Sequence, residues 1–93
     1  MKYVKDCIDT EWVSSAGGYV NLFEEKIANY TGAKYAISCM NGTVAIQVAL
    51  RLVGVEPGDE VITAANTAIP TISAIVNAGA KPVFVDINAN DYL

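Results

Sequence analysis

Apolar residues recur along the chain in two distinct rhythms. Tyr3, Val4, Cys7 and Ile8 cluster at three-to-four spacing and predict a short helix over residues 2–11. Residues 12–18 break the rhythm with two serines and two glycines and read as a loop. The helical spacing returns over residues 19–31. Val20, Phe23, Ile27 and Tyr30 make the stripe there, Glu24, Glu25 and Lys26 face water, and Gly32 supplies the left-handed stop. Residues 35–39 are a short apolar run of buried-strand length, and Met40-Asn41-Gly42-Thr43 turns the chain. A third helix follows over residues 43–53, with Ile46, Leu50 and Val53 on one face, and it stops at Gly54.

Pro57-Gly58 then marks a turn, since Pro presets φ and Gly supplies the positive-φ position. Glu60-Val61-Ile62-Thr63 is a second strand and residues 64–69 a second strand-to-helix loop. Pro70 suits a first helical turn, and Ile72, Ile75 and Val76 give that helix its apolar face up to Asn77-Ala78-Gly79. Residues 81–86 are a third strand and residues 88–93 turn polar. The order is helix, helix, β-α-β-α-β, which predicts an α/β fold with a parallel sheet and right-handed crossovers. Ligands of such sheets sit beyond the carboxyl ends of the strands. Three features fall there: Asn41-Gly42-Thr43, Asn66-Thr67-Ala68 and Asp86.

The first of these carries the sharpest chemistry. A strand that turns directly into a helix aims the helix's first free N–H groups at the space above the sheet, an anion pocket that needs no charged side chain. Gly42 lets an anion approach the backbone, the Thr43 hydroxyl adds a donor, and phosphate is the natural guest. The plainer reading is that Asn41 or Thr43 caps the helix. For Asp86 the plain reading is a strand-ending residue that bonds a loop. Trp12 is either a ligand contact or a plug packed on the core.

Composition narrows the field. In 93 residues, 53% are hydrophobic and 17% charged. That is much apolar surface for so short a chain to cover, so it is expected to be part of a larger protein or to associate. The net charge is −4, and the six basic residues are scattered as Lys2, Lys5, Lys26, Lys34, Arg51 and Lys81, with no stripe to follow a nucleic-acid backbone. Two cysteines and no histidine cannot make a zinc site, and Cys7 and Cys39 read as buried free thiols rather than a disulfide or redox pair. The first residues lack the apolar core of a signal peptide and no run reaches membrane-spanning length, which predicts a cytoplasmic protein. A dinucleotide site is disfavoured because Met-Asn-Gly-Thr-Val-Ala lacks the Gly-x-Gly-x-x-Gly fingerprint.

Taken in order, Trp12-Val13-Ser14-Ser15, Phe23-Glu24, Asn41-Gly42-Thr43-Val44-Ala45, Pro57-Gly58-Asp59-Glu60-Val61-Ile62, Asn66-Thr67 and Gly79-Ala80-Lys81-Pro82-Val83-Phe84-Val85-Asp86 resemble the opening of the DegT/DnrJ/EryC1/StrS family. These are pyridoxal-phosphate-dependent aminotransferases of nucleotide-linked keto sugars. The resemblance covers nearly the whole chain; its pieces are individually unspecific and specific together. It implies the N-terminal part of the large domain of a fold-type-I enzyme. Residues 1–33 would hold the N-terminal helices and the Trp-Val-Ser-Ser loop, and residues 34–93 the start of the cofactor-binding domain. It further implies a homodimer, an amino donor such as glutamate, and a cofactor-phosphate role for Gly42 and Thr43.

The chain departs from the family at Ala68, where the family usually carries an aromatic residue stacked on the pyridine ring. A methyl group offers no stacking face. Another residue stacks, the ring is held differently, or the cofactor is not bound. The resemblance also places the Schiff-base lysine and the acid on the pyridine nitrogen downstream of Leu93, so no catalytic residue is assigned within the chain. The alternative is a truncated, non-catalytic remnant that serves only as a phosphate-binding or dimerising piece. Which sugar is used and which carbon is aminated are not written in these residues.

Overall fold

The computed structural model describes residues 1–11 and 17–91. The chain divides into two compact units, residues 1–40 and 41–93.

The first unit holds two helices. Helix α1 spans Lys2–Asp9 and α2 spans Gly18–Thr31, which ends at Gly32 in the left-handed conformation, φ 75°. A side chain at that φ would meet its own carbonyl, so the stop the sequence announces is the one the backbone takes. The two helices meet around Tyr19. The Tyr19 hydroxyl donates to Asp6 Oδ2 at 2.6 Å. The Tyr3 and Tyr19 rings meet edge to face, 5.2 Å apart at 79°. This geometry sets the positive ring edge against the negative ring face.

The expected strand over residues 35–39 is not one. Among the described residues the segment pairs with no other strand, and the sheet has two strands rather than three. A strand exists only through its ladder of inter-strand hydrogen bonds, and an apolar run of the right length supplies no partner. Tyr35 and Ile37 accordingly stay 74% and 79% exposed. The thiols also depart from expectation: Cys39 is exposed and Cys7 half-buried, both unbridged.

The second unit is an α-β-α-β layer. It runs α3 (Gly42–Leu52), β1 (Glu60–Ala64), α4 (Ile69–Asn77), β2 (Lys81–Val85). The strands are parallel, with Glu60 opposite Lys81 and Ala64 opposite Val85. Helix α4 packs against both α3 and β2. The buried core is Ala74, Ile75, Ala78 and Ala80, and Ile75 alone among them is large. At Gly79, φ is 81°, and an added Cβ would stand 3.2 Å from both Cβ and Cγ of Pro57. The glycine therefore serves twice, closing α4 and letting the 57–58 turn approach. The Gly58 N–H donates to the Gly79 carbonyl at 3.1 Å, and the Lys81 N–H to the Asp59 carbonyl at 2.7 Å. These bonds bring β2 into register with β1.

Candidate functional site: the turn at the head of helix α3

Asn41 sits in extended backbone, φ −159° and ψ 171°, just before α3. Its Oδ1 accepts the Val44 N–H at 3.0 Å, and its carbonyl accepts the Ala45 N–H at 3.1 Å. The cap is thus Asn41 and not Thr43. Side-chain capping satisfies one of the orphan donors at a helix start and leaves the others. Here the N–H groups of Gly42 and Thr43 have no acceptor among the described residues. The Thr43 side chain is half-buried and its hydroxyl makes no hydrogen bond among those residues.

Gly42 is not at a positive φ, and a Cβ built on it would meet nothing within 4 Å. The chain's own conformation and packing make no demand for glycine at this position. Two free N–H groups, a free hydroxyl and an uncrowded backbone at the positive end of a helix dipole form a cradle suited to a phosphate. Asn41 adds no charge to oppose it.

The second loop follows β1. Ala68 precedes α4 in extended backbone, φ −73° and ψ 148°, exposed and without a side-chain cap. Pro70 falls in the first helical turn, as the sequence predicts. The Thr67 hydroxyl is already engaged, donating to Thr71 Oγ1 at 2.9 Å. Asp86 follows β2 and its Oδ1 accepts the Ile87 N–H at 2.9 Å, which is the loop-bonding role of the plain reading. The parallel register puts the residues after Ala64 and after Val85 on one edge of the sheet, and the Ala65 N–H donates to the Val85 carbonyl at 2.9 Å. Two of the three expected edge features thus come together. For the third, the turn at Asn41, residues 35–39 provide no ladder that ties it to this edge.

No lysine lies on the carboxyl edge among the described residues. Lys81 opens β2 at the opposite edge, Lys2 and Lys5 lie on α1, and Lys26 on α2. The Lys34 Nζ stands 5.3 Å over the Tyr35 ring. No group of metal-ligating side chains occurs among the described residues, and no helix there is long and apolar enough to cross a membrane. Trp12 and the Trp-Val-Ser-Ser loop lie outside the described residues.

Sequence reasoning missed Glu24, which it left as a solvated helix position. Its Oε1 accepts both the Ser38 N–H at 2.7 Å and the Ser38 hydroxyl at 2.9 Å. These donors, the N–H first and then the hydroxyl, hold the carboxyl below its usual range. The only signal in the sequence was the Phe23-Glu24 pair within the family resemblance.

The model of the DegT/DnrJ/EryC1/StrS aminotransferase family matches residues 1–93, the whole chain. The chain belongs to that family. Among DegT/DnrJ/EryC1/StrS members, a GDP-perosamine synthase of Caulobacter vibrioides is 46% identical over 84 residues, 90% of this chain and 23% of the relative. A UDP-2-acetamido-2-deoxy-3-oxo-D-glucuronate aminotransferase of Pseudomonas aeruginosa is 47% identical over 76 residues, 82% of this chain and 21% of the relative. The crystal structure of NtdA from Bacillus subtilis with bound cofactor PMP aligns at TM-score 0.75 and 40% identity, over 78% of this chain and 17% of NtdA. The E. coli GDP-4-keto-6-deoxy-D-mannose-3-dehydratase with bound hydrated PLP aligns at TM-score 0.85 and 26% identity, over 98% of this chain and 25% of that one. The chain therefore spans between 17% and 25% of the length of these proteins. What it shares with them is the opening of the large-domain fold of these PLP enzymes.

Proposed function

We propose that this chain is the N-terminal part of a pyridoxal-phosphate-dependent aminotransferase that acts on a nucleotide-linked keto sugar, and that it supplies the turn for the cofactor phosphate. Residues 34–93 are on this reading the opening of the cofactor-binding large domain. The observation that carries it is the head of α3. Asn41 spends its side chain on Val44 and leaves the N–H groups of Gly42 and Thr43, with the Thr43 hydroxyl, free to donate. These residues fit a phosphate in donor number and in the absence of any chain atom crowding Gly42.

Bound PLP would supply an electron sink at the carbon that carries the transferred nitrogen. The chain's own part is to anchor and orient. The Gly42 and Thr43 amides hold the phosphate against the helix dipole, and the Thr43 hydroxyl adds a charge-assisted hydrogen bond. Asn41 keeps both amides aimed outward by closing the helix behind them. Ala68 stands at the family's stacking position and offers only a methyl group, so on this reading the ring is held by another residue. The lysine that moves the proton lies beyond Leu93. Glutamate as amino donor, a homodimer and a cytoplasmic location complete the proposal. They are supported by the family resemblance.

The dehydratase neighbour favours a second reading on the same scaffold, since it aligns over 98% of this chain, against 78% for NtdA. The two readings share the phosphate cradle and separate downstream. A third reading, the non-catalytic remnant, draws on the small core, in which one large side chain is fully buried.

Extending the reading frame past Leu93 and assaying the full-length product decides among them. An aminotransferase binds PLP and moves an amino group from glutamate to a keto sugar nucleotide. A dehydratase binds PLP and releases water from the sugar. A remnant shows no cofactor absorbance. Within the full-length protein, Thr43→Ala weakens PLP binding by about 1–2 kcal/mol, the worth of one hydrogen bond to a charged group. Unchanged affinity would reduce Thr43 to a plain helix residue.

A further inference from the structure

Resting on the cofactor reading above, we propose that Thr71 is a positioning residue: it fixes the loop between β1 and α4 whose last residue, Ala68, flanks the cofactor ring. Thr71 makes two bonds, one to each of the two residues ahead of the helix. Its Oγ1 accepts the Thr67 hydroxyl at 2.9 Å, and its N–H donates to the Ala68 carbonyl at 3.0 Å. Ala68 is the N-cap of α4 and has no side-chain group with which to cap it. In a capping box the third helical residue reaches back with its side chain to close the helix start. Thr71 is the third residue of α4 and reaches back in the same manner, one residue further, to Thr67. Pro70 has no N–H with which to bond back to the loop, so the tie falls to Thr71.

The place of this loop in the sheet gives the tie its consequence. The Ala65 N–H bonds the Val85 carbonyl at 2.9 Å, so the loop leaves β1 at the carboxyl edge. Ligands of parallel sheets are held beyond that edge. A long side chain at position 68 could adjust its reach to a ring by changing rotamer, but a methyl group has no rotamer to change. The fit at Ala68 therefore depends on its backbone, held at φ −73° and ψ 148°. Fixing a backbone in one such well costs about 1–2 kcal/mol per residue, a cost already met where the loop is tied in advance. Both bonds join residues no more than four positions apart, so they belong to the local sequence and carry over to the longer protein. Thr71 touches no ring in this role and acts through Thr67 and the Ala68 backbone.

The test uses the full-length protein. PLP affinity is read by absorbance titration, the visible circular dichroism of bound PLP is recorded at saturation, and the melting temperature is followed alongside. Thr71→Val keeps the shape and the main-chain N–H and loses only the hydroxyl. It is expected to raise the PLP Kd about two- to tenfold, the scale of one lost neutral hydrogen bond, and to alter the dichroism band. Thr71→Ser keeps the hydroxyl and is expected to restore both to wild-type values. Thr67→Val removes the same bond from its other end, and the double variant is expected to be no worse than the poorer single one. A merely structural Thr71 would lower the melting temperature and leave the Kd and the band unchanged; that result, or additive losses in the double variant, overturns the proposal. Should Thr71→Val fail to fold, an unchanged Kd and band in Thr67→Val overturns it instead. A wild-type protein that binds no PLP defeats the cofactor reading and the proposal with it, whereas equal binding by wild type and Thr71→Val defeats the proposal alone.

Discussion

Replacing Gly42 with alanine pulls stability and cofactor affinity in opposite directions. Gly42 is the first residue of α3, at ordinary helical φ, and a Cβ there meets nothing within 4 Å. Alanine removes backbone freedom from the unfolded chain and clashes with nothing in the folded one. Apo stability should therefore hold or rise, by up to about 0.5–1 kcal/mol. The same methyl group stands beside the free N–H groups of residues 42 and 43, in the space a phosphate must enter. Losing one charge-assisted bond there costs about 1.5–3 kcal/mol, or roughly a 10- to 150-fold rise in PLP Kd. Urea denaturation of the apoprotein gives the first quantity, and titration with PLP gives the second. An alanine variant that binds PLP as tightly as wild type would refute the placement of the phosphate at this turn. A variant whose apoprotein loses more than about 1 kcal/mol would refute the claim that the chain itself makes no demand for glycine there.

The remaining predictions concern the scaffold. Asn41→Ala strips the only side-chain cap of α3 and is expected to cost about 1 kcal/mol, within a range of 0.5–2, seen as a lower urea midpoint; an unchanged midpoint would mean that water replaces the cap in full. Gly79→Ala forces a side chain onto φ 81° and presses a Cβ to 3.2 Å from Pro57. The expected loss is about 1–3 kcal/mol, and Gly79→Ala as stable as wild type would disprove the double role of that glycine. The Tyr19 phenol is pushed up to about 12, first by its hydrogen bond to Asp6, then by lost hydration and the Asp6 charge. Because the folded value lies above the ordinary 10.0, the contribution of this bond is fully present below pH 10.0 and fades as pH climbs towards 12. A difference titration of tyrosinate absorbance between wild type and Tyr19→Phe should show one phenol ionising late; a step at the ordinary value would deny the bond.

Much of the organisation was legible because it rests on local rules. Helical spacing marked the four helices of the described residues. Gly32, Gly54, Pro57-Gly58 and Gly79 marked the stops and turns, since a positive φ or a preset φ leaves few residue choices. Parallel pairing of the 60s strand with the 80s strand followed from their separation by a helix. The free N–H groups at the start of α3 were legible for the same reason, because they are main-chain groups exposed by the turn itself. Where the readings failed, the missing information was a partner. The apolar run at 35–39 promised a strand and found no ladder among the described residues, and Cys39, read as a buried thiol, lies exposed.

By itself, then, the sequence determined the order of elements, the turn chemistry and the resemblance that the family match bears out, because each is set by residues within a few positions of one another. Only the tertiary structure decided that Asn41 rather than Thr43 closes α3, that Thr67 is spent on Thr71, and that Glu24 holds Ser38 from 14 residues away. The physical reason is that a hydrogen-bonding side chain has several acceptors and donors within its reach. Which one it takes depends on where the folded backbone brings them, and the order of residues alone does not state that.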